Sequence, residues 1–320
     1  MRFTFRQLEY FIAAGDTGSI ALASERIRIS PPSISTAIAQ LERELGVQLF
    51  VRHHARGLSL TPAGRTLLRD AKRLVEQAEA LYAVASEAAG QVRGRLAVGC
   101  LVTLAPMVLP ELTHSFTAAY PEVTVQHHES HQEWLLQSLA RAEIDLAVTY
   151  DLQIPEGVAF APLASLPPHA LVAETHRLAR HSSVSLAELA AEPLILLDLP
   201  MSREYFLALF MKEGLQPLVH SRSAHQDVVR TMVANGYGYT LANVRPRSDL
   251  ALDGRRVVRV PLAGDHLPMR IGIATLEQLR SSRLIRAFEA HCRAFVSDTH
   301  IPGMVAPAVE ARTRRRPGVT

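Results

Sequence analysis

The sequence predicts an α/β protein carried behind a small helical head, and three stretches carry that prediction. Residues 19–52, SIALASERIRISPPSISTAIAQLERELGVQLFVR, hold two short helix patterns joined by a tight turn. From Leu67 through Ala71, Leu74, Ala78, Leu81 and Ala85 to Ala88, apolar residues recur at alternating steps of four and three. Beyond residue 95, strand-like and helical patterns alternate, which implies α/β units with mainly parallel sheets.

Taken in order, FRQLEYFIAA places Phe5, Leu8, Phe11 and Ile12 on one helical face, a scaffold for the helices that follow. Ser19 is suited to cap a helix from about 20 to 27, with Ile20, Ala23, Ser24 and Ile27 as its packed stripe. Arg28, Ile29 and Ser30 turn the chain. Ser30 can cap the next helix, and Pro31 stands at its first position, where a missing N–H costs nothing. Ile34, Ala37, Ile38, Leu41 and Leu45 then face inward, and Gly46 ends the helix. The opposite face carries Ser33, Ser35, Thr36, Ala39 and Gln40, a small hydrogen-bonding surface of the kind that fits a major groove.

After Gly46, short apolar pieces near 49–51 and 58–60 flank a basic loop and read as a two-stranded wing. Arg52, His53, His54 and Arg56 are placed there to meet phosphate or the minor groove. Thr61 and Pro62 start a helix that runs to about Ala89, too long to bury alone, so its seam predicts self-association. GQVRGR at 90–95 has the glycines and charges of a hinge.

Composition bounds the function. Of 320 residues, 48% are hydrophobic and 20% charged, as in a folded globular chain of two or three domains. No apolar run reaches membrane-helix length and MRFTFRQLEYF has no signal-peptide core, so a cytoplasmic protein without a membrane role is expected. Cys100 and Cys292 lack metal-ligand spacing and read as small core residues of a reducing compartment. The net charge of +3 is unevenly spread: residues 1–73 hold 11 Lys and Arg against 6 Asp and Glu, residues 301–320 hold four against one, and the middle is acidic. The basic end is the end with the two-helix unit, which points to nucleic acid.

The blocks RQLEYFIAAGDTGSI, ASERIRIS, SISTAIAQLERELGVQLFVR and LTPAGRTLL make residues 8–68 resemble the N-terminal domain of LysR-type transcriptional regulators. Two positions depart from the family pattern: Pro31-Pro32 stands where Gln-Pro is usual, and Thr36 where Arg is frequent. More weakly, LAVGCLVTLAPMVLPEL, AEIDLAVTY, HALVAETHRLARHSSVSLAELAAEPLILLD and MVANGYGYTLAN resemble that family's effector-binding domain, built like a periplasmic binding protein from two α/β lobes around a cleft.

The resemblance implies a winged helix-turn-helix over 1–61, a linker helix and hinge over 62–92, and an effector-binding domain over 93–297. Lobe one would be 93–163 with 267–297, and lobe two 164–266. Residues 298–320, rich in Pro, Gly and Arg, read as a disordered basic tail. The implied partners are double-stranded DNA, a small-molecule effector for which an anion is a candidate, further copies of the chain in a dimer or tetramer, and RNA polymerase. DNA contact is expected from Ser30, Pro31, Pro32, Ser33, Ser35, Thr36, Gln40, Arg52, His53 and Arg56.

In open α/β sheets ligands sit beyond the carboxyl ends of strands, where helix N-termini present free N–H groups. The turns that qualify hold Leu101, Val102 and Thr103; Ser130; Pro200, Met201, Ser202 and Arg203; His225 and Gln226; and, at a later strand end, Asn243. By resemblance the turns at 101–103, 130 and 200–203 line the effector cleft. Thr103 and Ser202 are equally suited to cap helices, and Arg203 to pair with an anion. No catalytic motif accompanies Ser202, and Gly236-Tyr237-Gly238 lacks the rest of a dinucleotide loop, so no enzyme and no cofactor are expected. His127, His128 and His131 are read as surface residues rather than metal ligands. A disulfide switch through Cys100 and Cys292 has no low-pKa environment to support it. The competing reading is a cytoplasmic ligand-binding α/β protein or enzyme without a DNA role.

Overall fold

A computed structural model describes residues 3–53, 57–88 and 91–306, and the chain divides into two units, Met1–Ala89 and Gly90–Thr320. In the first unit, α1 (Phe5–Thr17) starts at a capping box in which Thr4 and Gln7 satisfy each other's backbone. Ser19 caps α2 (Ile20–Ile27), and Arg28 turns the chain in the left-handed conformation, φ 54°. The helix α3 (Pro31–Leu45) follows and stops at Gly46, φ 70°. Two expectations fail locally. Ser30 makes no cap bond to α3 and instead shares a 2.8 Å hydrogen bond with the Ser33 hydroxyl. Phe5 is exposed, because the buried stripe of α1 runs through Leu8, Phe11 and Ala14 instead.

The head's core is Leu8, Phe11, Ile34, Ile38, Leu41, Leu49 and Phe50, with Phe11 and Phe50 packed edge to face at 5.5 Å. Strands β1 (Phe50–His53) and β2 (Gly57–Leu60) pair antiparallel as a wing. Glu42 of α3 ties that wing to the core by accepting from the Leu49 and Phe50 amides at 2.7 and 3.2 Å. Thr61 then accepts from Gly64 N at 2.9 Å and opens α4 (Pro62–Ala88), 27 residues or about 40 Å long. The first half of its seam is already occupied. Ala71 is buried in the head, and Leu67, Leu68, Leu74 and Val75 pack against the same core. Side chains 81–88, which carry the rest of the seam, lie outside the described residues.

In the second unit a five-stranded sheet has the order β4 (Val123–Ser130), β3 (Gly94–Leu101), β5 (Leu146–Tyr150), β12 (Met269–Leu276), β6 (Val158–Leu166). Strands β3, β4 and β5 are parallel, joined through α5 (Ala105–Ala119) and α6 (Gln132–Ala140), as crossover connections require. The returning strand β12 is antiparallel to both neighbours. A three-stranded antiparallel sheet orders β10 (Thr240–Ala242), β7 (His169–Ala173) and β11 (Val257–Pro261). The parallel pair β8 (Pro193–Leu197) and β9 (Leu218–Ser223) completes the strands. Helices α7 (Leu186–Ala190), α8 (Ser202–Lys212), α9 (Gln226–Ala234) and α10 (Arg283–Phe295) cover them. The sheets are therefore mixed rather than mainly parallel, because strands that return or turn back singly meet their neighbours antiparallel.

The expected disordered tail is corrected over 298–306. Ile301, Met304 and Ala306 are buried. Met304 bridges Pro246, Val305 N donates to Arg245 O at 2.8 Å, and Asp298 accepts from Ser165 N at 2.7 Å. At Gly303, φ 66°, a methyl group would lie 2.7 Å from the Met107 carbonyl oxygen, so glycine is needed for the close approach. Residues 307–320 lie outside the described residues.

Candidate nucleic-acid face and ligand cavity

On α3 the buried Ile34, Ile38 and Leu41 leave Pro31, Pro32, Ser33, Thr36 and Gln40 exposed and Ser35 half-buried. The structure thus gathers these predicted residues, with Ser30, on one open face. Gln40 is not idle there, since its amide donates to Glu44 at 3.1 Å, and a base must compete with that carboxylate. The backbone of Arg52 and His53 lies in β1, while their side chains, and Arg56 entirely, lie outside the described residues.

The second unit contains a partly open, mostly apolar cavity of about 50 Å³. Thr103, Ser202 and Asn243 line it. Thr103 and Ser202 do not cap helices: α5 and α8 have Leu104 and Met201 at the cap position, and neither end has a side-chain cap bond. Met201 holds a positive φ of 67° there, which a non-glycine residue rarely adopts.

The other predicted residues do not reach the cavity. Leu101 is the buried end of β3, and Val102 points outward while its amide donates to Ser130 O at 2.9 Å. Ser130 ends β4, and the next residue, His131, caps α6. Pro200 and Met201 form the turn before α8, and Pro200 O accepts from Ser202 N at 2.8 Å. Arg203 is corrected as an anion ligand: its guanidinium is held between Asp198 at 2.6 Å and Glu204 at 2.5 Å, which raise its pKa.

Sequence reading missed most of the wall. Tyr150 ends β5 and Arg230 lies one turn into α9, beyond Gln226, which the sequence also places at a qualifying turn; Leu171, Phe206, Thr240 and Met269 complete the wall's main features. The available signal was Arg230 inside the apolar stripe of Val229 and Val233, an odd residue for a packed face. Its Nη2 donates to Ser248 O at 2.6 Å and its Nε to Leu250 O at 3.3 Å, and burial followed by the nearby Arg259 charge lowers its pKa. Tyr150 is fully buried and its phenol is pushed upward by that burial. Among the described residues the lining contains no His, Cys, Asp, Glu or Lys, so no nucleophile is set beside a base.

Elsewhere, His128 stacks on Trp134, and among the described residues no three His, Cys, Asp or Glu gather as a metal site. Cys100 and Cys292 are both buried, and burial pushes both thiols up, away from the thiolate form. No helix among the described residues is long and apolar enough to cross a membrane.

Two family models match in tandem: the bacterial regulatory helix-turn-helix protein of the lysR family over residues 5–65, and the LysR substrate binding domain over residues 89–297. The chain belongs to the LysR family. This LysR protein is 31% identical to the HTH-type transcriptional regulator TdfR of Cupriavidus pinatubonensis over 293 residues, 89% of this chain and 96% of that one. It is 28% identical to the hydrogen peroxide-inducible genes activator of Dickeya chrysanthemi, covering 74% of this chain and 77% of the relative. The crystal structure of HinK, a LysR family transcriptional regulator from Pseudomonas aeruginosa, matches at 37% identity and a TM-score of 0.63, covering 92% and 99% of the two chains. This LysR protein is a transcriptional regulator with a DNA-binding helix-turn-helix head and an effector-binding second unit.

Proposed function

We propose that the exposed face of α3 reads bases through Ser30, Pro31, Pro32, Ser33, Ser35, Thr36 and Gln40, while Arg52, His53 and Arg56 meet the DNA backbone or minor groove. The cavity is the effector site. Residues 93–163 with 267–297 act as one lobe and 164–266 as the other. The observation that carries this reading is the origin of the lining: Tyr150 and Met269 come from the five-stranded sheet, Leu171, Thr240 and Ala242 from the three-stranded one. An occupant touches both sheets, so its affinity depends on how they are arranged, and differential affinity is what lets a ligand shift a conformational equilibrium. The regulator works in the cytoplasm, without turnover of its ligand, self-associates through the far half of α4 and engages RNA polymerase.

Binding to the DNA upstream of its own gene, followed as salt is raised, tests the head. A steep salt-dependent loss of affinity is expected, and no binding, or binding indifferent to salt, overturns the reading. Arg52→Ala should weaken all sequences alike, whereas Ser33→Ala or Gln40→Ala should change which bases are preferred.

A further inference from the structure

Asn243 is a buried amide whose orientation the fold decides. Its Nδ2 donates to Leu166 O at 2.7 Å and approaches the Tyr205 hydroxyl at 3.5 Å, while Tyr205 itself donates to Leu267 O at 2.7 Å. The nitrogen must face the Leu166 carbonyl, so the oxygen has to face the other way. That oxygen, Oδ1, is buried and has no hydrogen-bond partner, on a residue that is 3% exposed and lines the cavity. A second lining amide, Gln226, also has a buried Oε1 without a partner.

An orphaned acceptor is satisfied by an incoming O–H or N–H and repelled by the lone pairs of a carboxylate. Among the described residues the one charged residue lining the cavity, Arg230, is directed at the carbonyls of Ser248 and Leu250, and Arg203 is held by Asp198 and Glu204. Helices α8 and α9 do begin at the cavity, at Ser202 and Gln226, and their end N–H groups favour an oxygen atom. A hydroxyl or carbonyl oxygen meets that preference without the desolvation that an unpaired carboxylate would suffer in a mostly apolar enclosure.

Building on the reading of this cavity as the effector site, we infer that its ligand is an uncharged molecule with an apolar body and a hydrogen-bond donor delivered to Asn243 Oδ1. Hydroxylated aromatics are the simplest members of that class, and carboxylate-bearing compounds are disfavoured. Specificity rests on the donor: a compound identical except for a methylated hydroxyl leaves Oδ1 orphaned.

Three probes separate the terms. Binding of 1-naphthol, 1-methoxynaphthalene and 1-naphthoate is measured on the full-length protein by calorimetry, and again on Ala242→Phe, which fills the cavity. Expected is 1-naphthol tighter than 1-methoxynaphthalene by about tenfold or more, with 1-naphthoate weakest. Asn243→Leu should bring the first two within about twofold of each other. The main comparison is read on the unmodified protein and does not depend on a variant folding. If 1-naphthoate binds tightest, or the methoxy compound matches 1-naphthol, the ligand class is wrong while the cavity reading survives. If none binds, or if Ala242→Phe leaves binding unchanged, the cavity reading fails and the inference with it.

Discussion

A methyl group at Gly64 would lie 2.1 Å from the Leu49 carbonyl oxygen, and backbone cannot swing aside as a flexible side chain does. Gly64→Ala should therefore cost the head about 1–3 kcal/mol in urea unfolding despite its better helix propensity, and a gain in stability would contradict the close approach. His169 offers a second residue-scale test. It is fully buried on β7, and burial, then the charges of Arg245 and Arg259, hold its pKa well below 6.5. The unfolded chain takes up a proton near pH 6.5 while the folded one does not, so stability should fall as pH drops below that value. Replacing it by a non-titrating residue, His169→Gln, should flatten the difference by up to about 1.4 kcal/mol per pH unit. Identical slopes for the two proteins between pH 7 and 5 would refute it. At this scale sequence reading was uneven. Thr103, Ser202 and Asn243 were legible because strand ends and helix starts are local features. Arg203 was misread because its two carboxylates, Asp198 and Glu204, only meet it once the turn before α8 is formed.

Element by element, α4 does two jobs along one seam. Its N-terminal half belongs to the head, where Leu67, Ala71 and Leu74 pack into the core, and the proposed self-association falls to the half beyond Val75. Leu81→Glu should therefore give monomers by light scattering with an unchanged thermal transition of the head. Leu74→Glu should lower that transition as well, because it buries a charge against the head's core. Equal effects of both changes would mean the division of the helix is wrong. The helix itself was plain from its cap and period, but periodicity does not say which stretch of a stripe meets its own chain. The segment 298–306 failed for a related reason. Its Pro and Gly content reads as open chain, whereas the partners that hold it, Met107 against Gly303 and Pro246 against Met304, lie far away in sequence.

Across the whole molecule, the order of head, long helix and α/β unit was legible because each has a distinct local period, and the basic charge at the head's end agreed with it. The cavity wall was less so. Tyr150, Phe206, Arg230 and Met269 come from four elements, and what brings them together is the mixed sheet topology that alternation alone did not reveal. Regulation by this protein rests on coupling between the cavity and the DNA-binding head. The direct measurement is the Kd for the upstream DNA of the unmodified protein and of Ala242→Phe, at one salt concentration and with equal thermal stability established. Coupling predicts a change of about fivefold or more in that Kd. An unchanged Kd, in a variant whose cavity is filled and whose fold is intact, would contradict it.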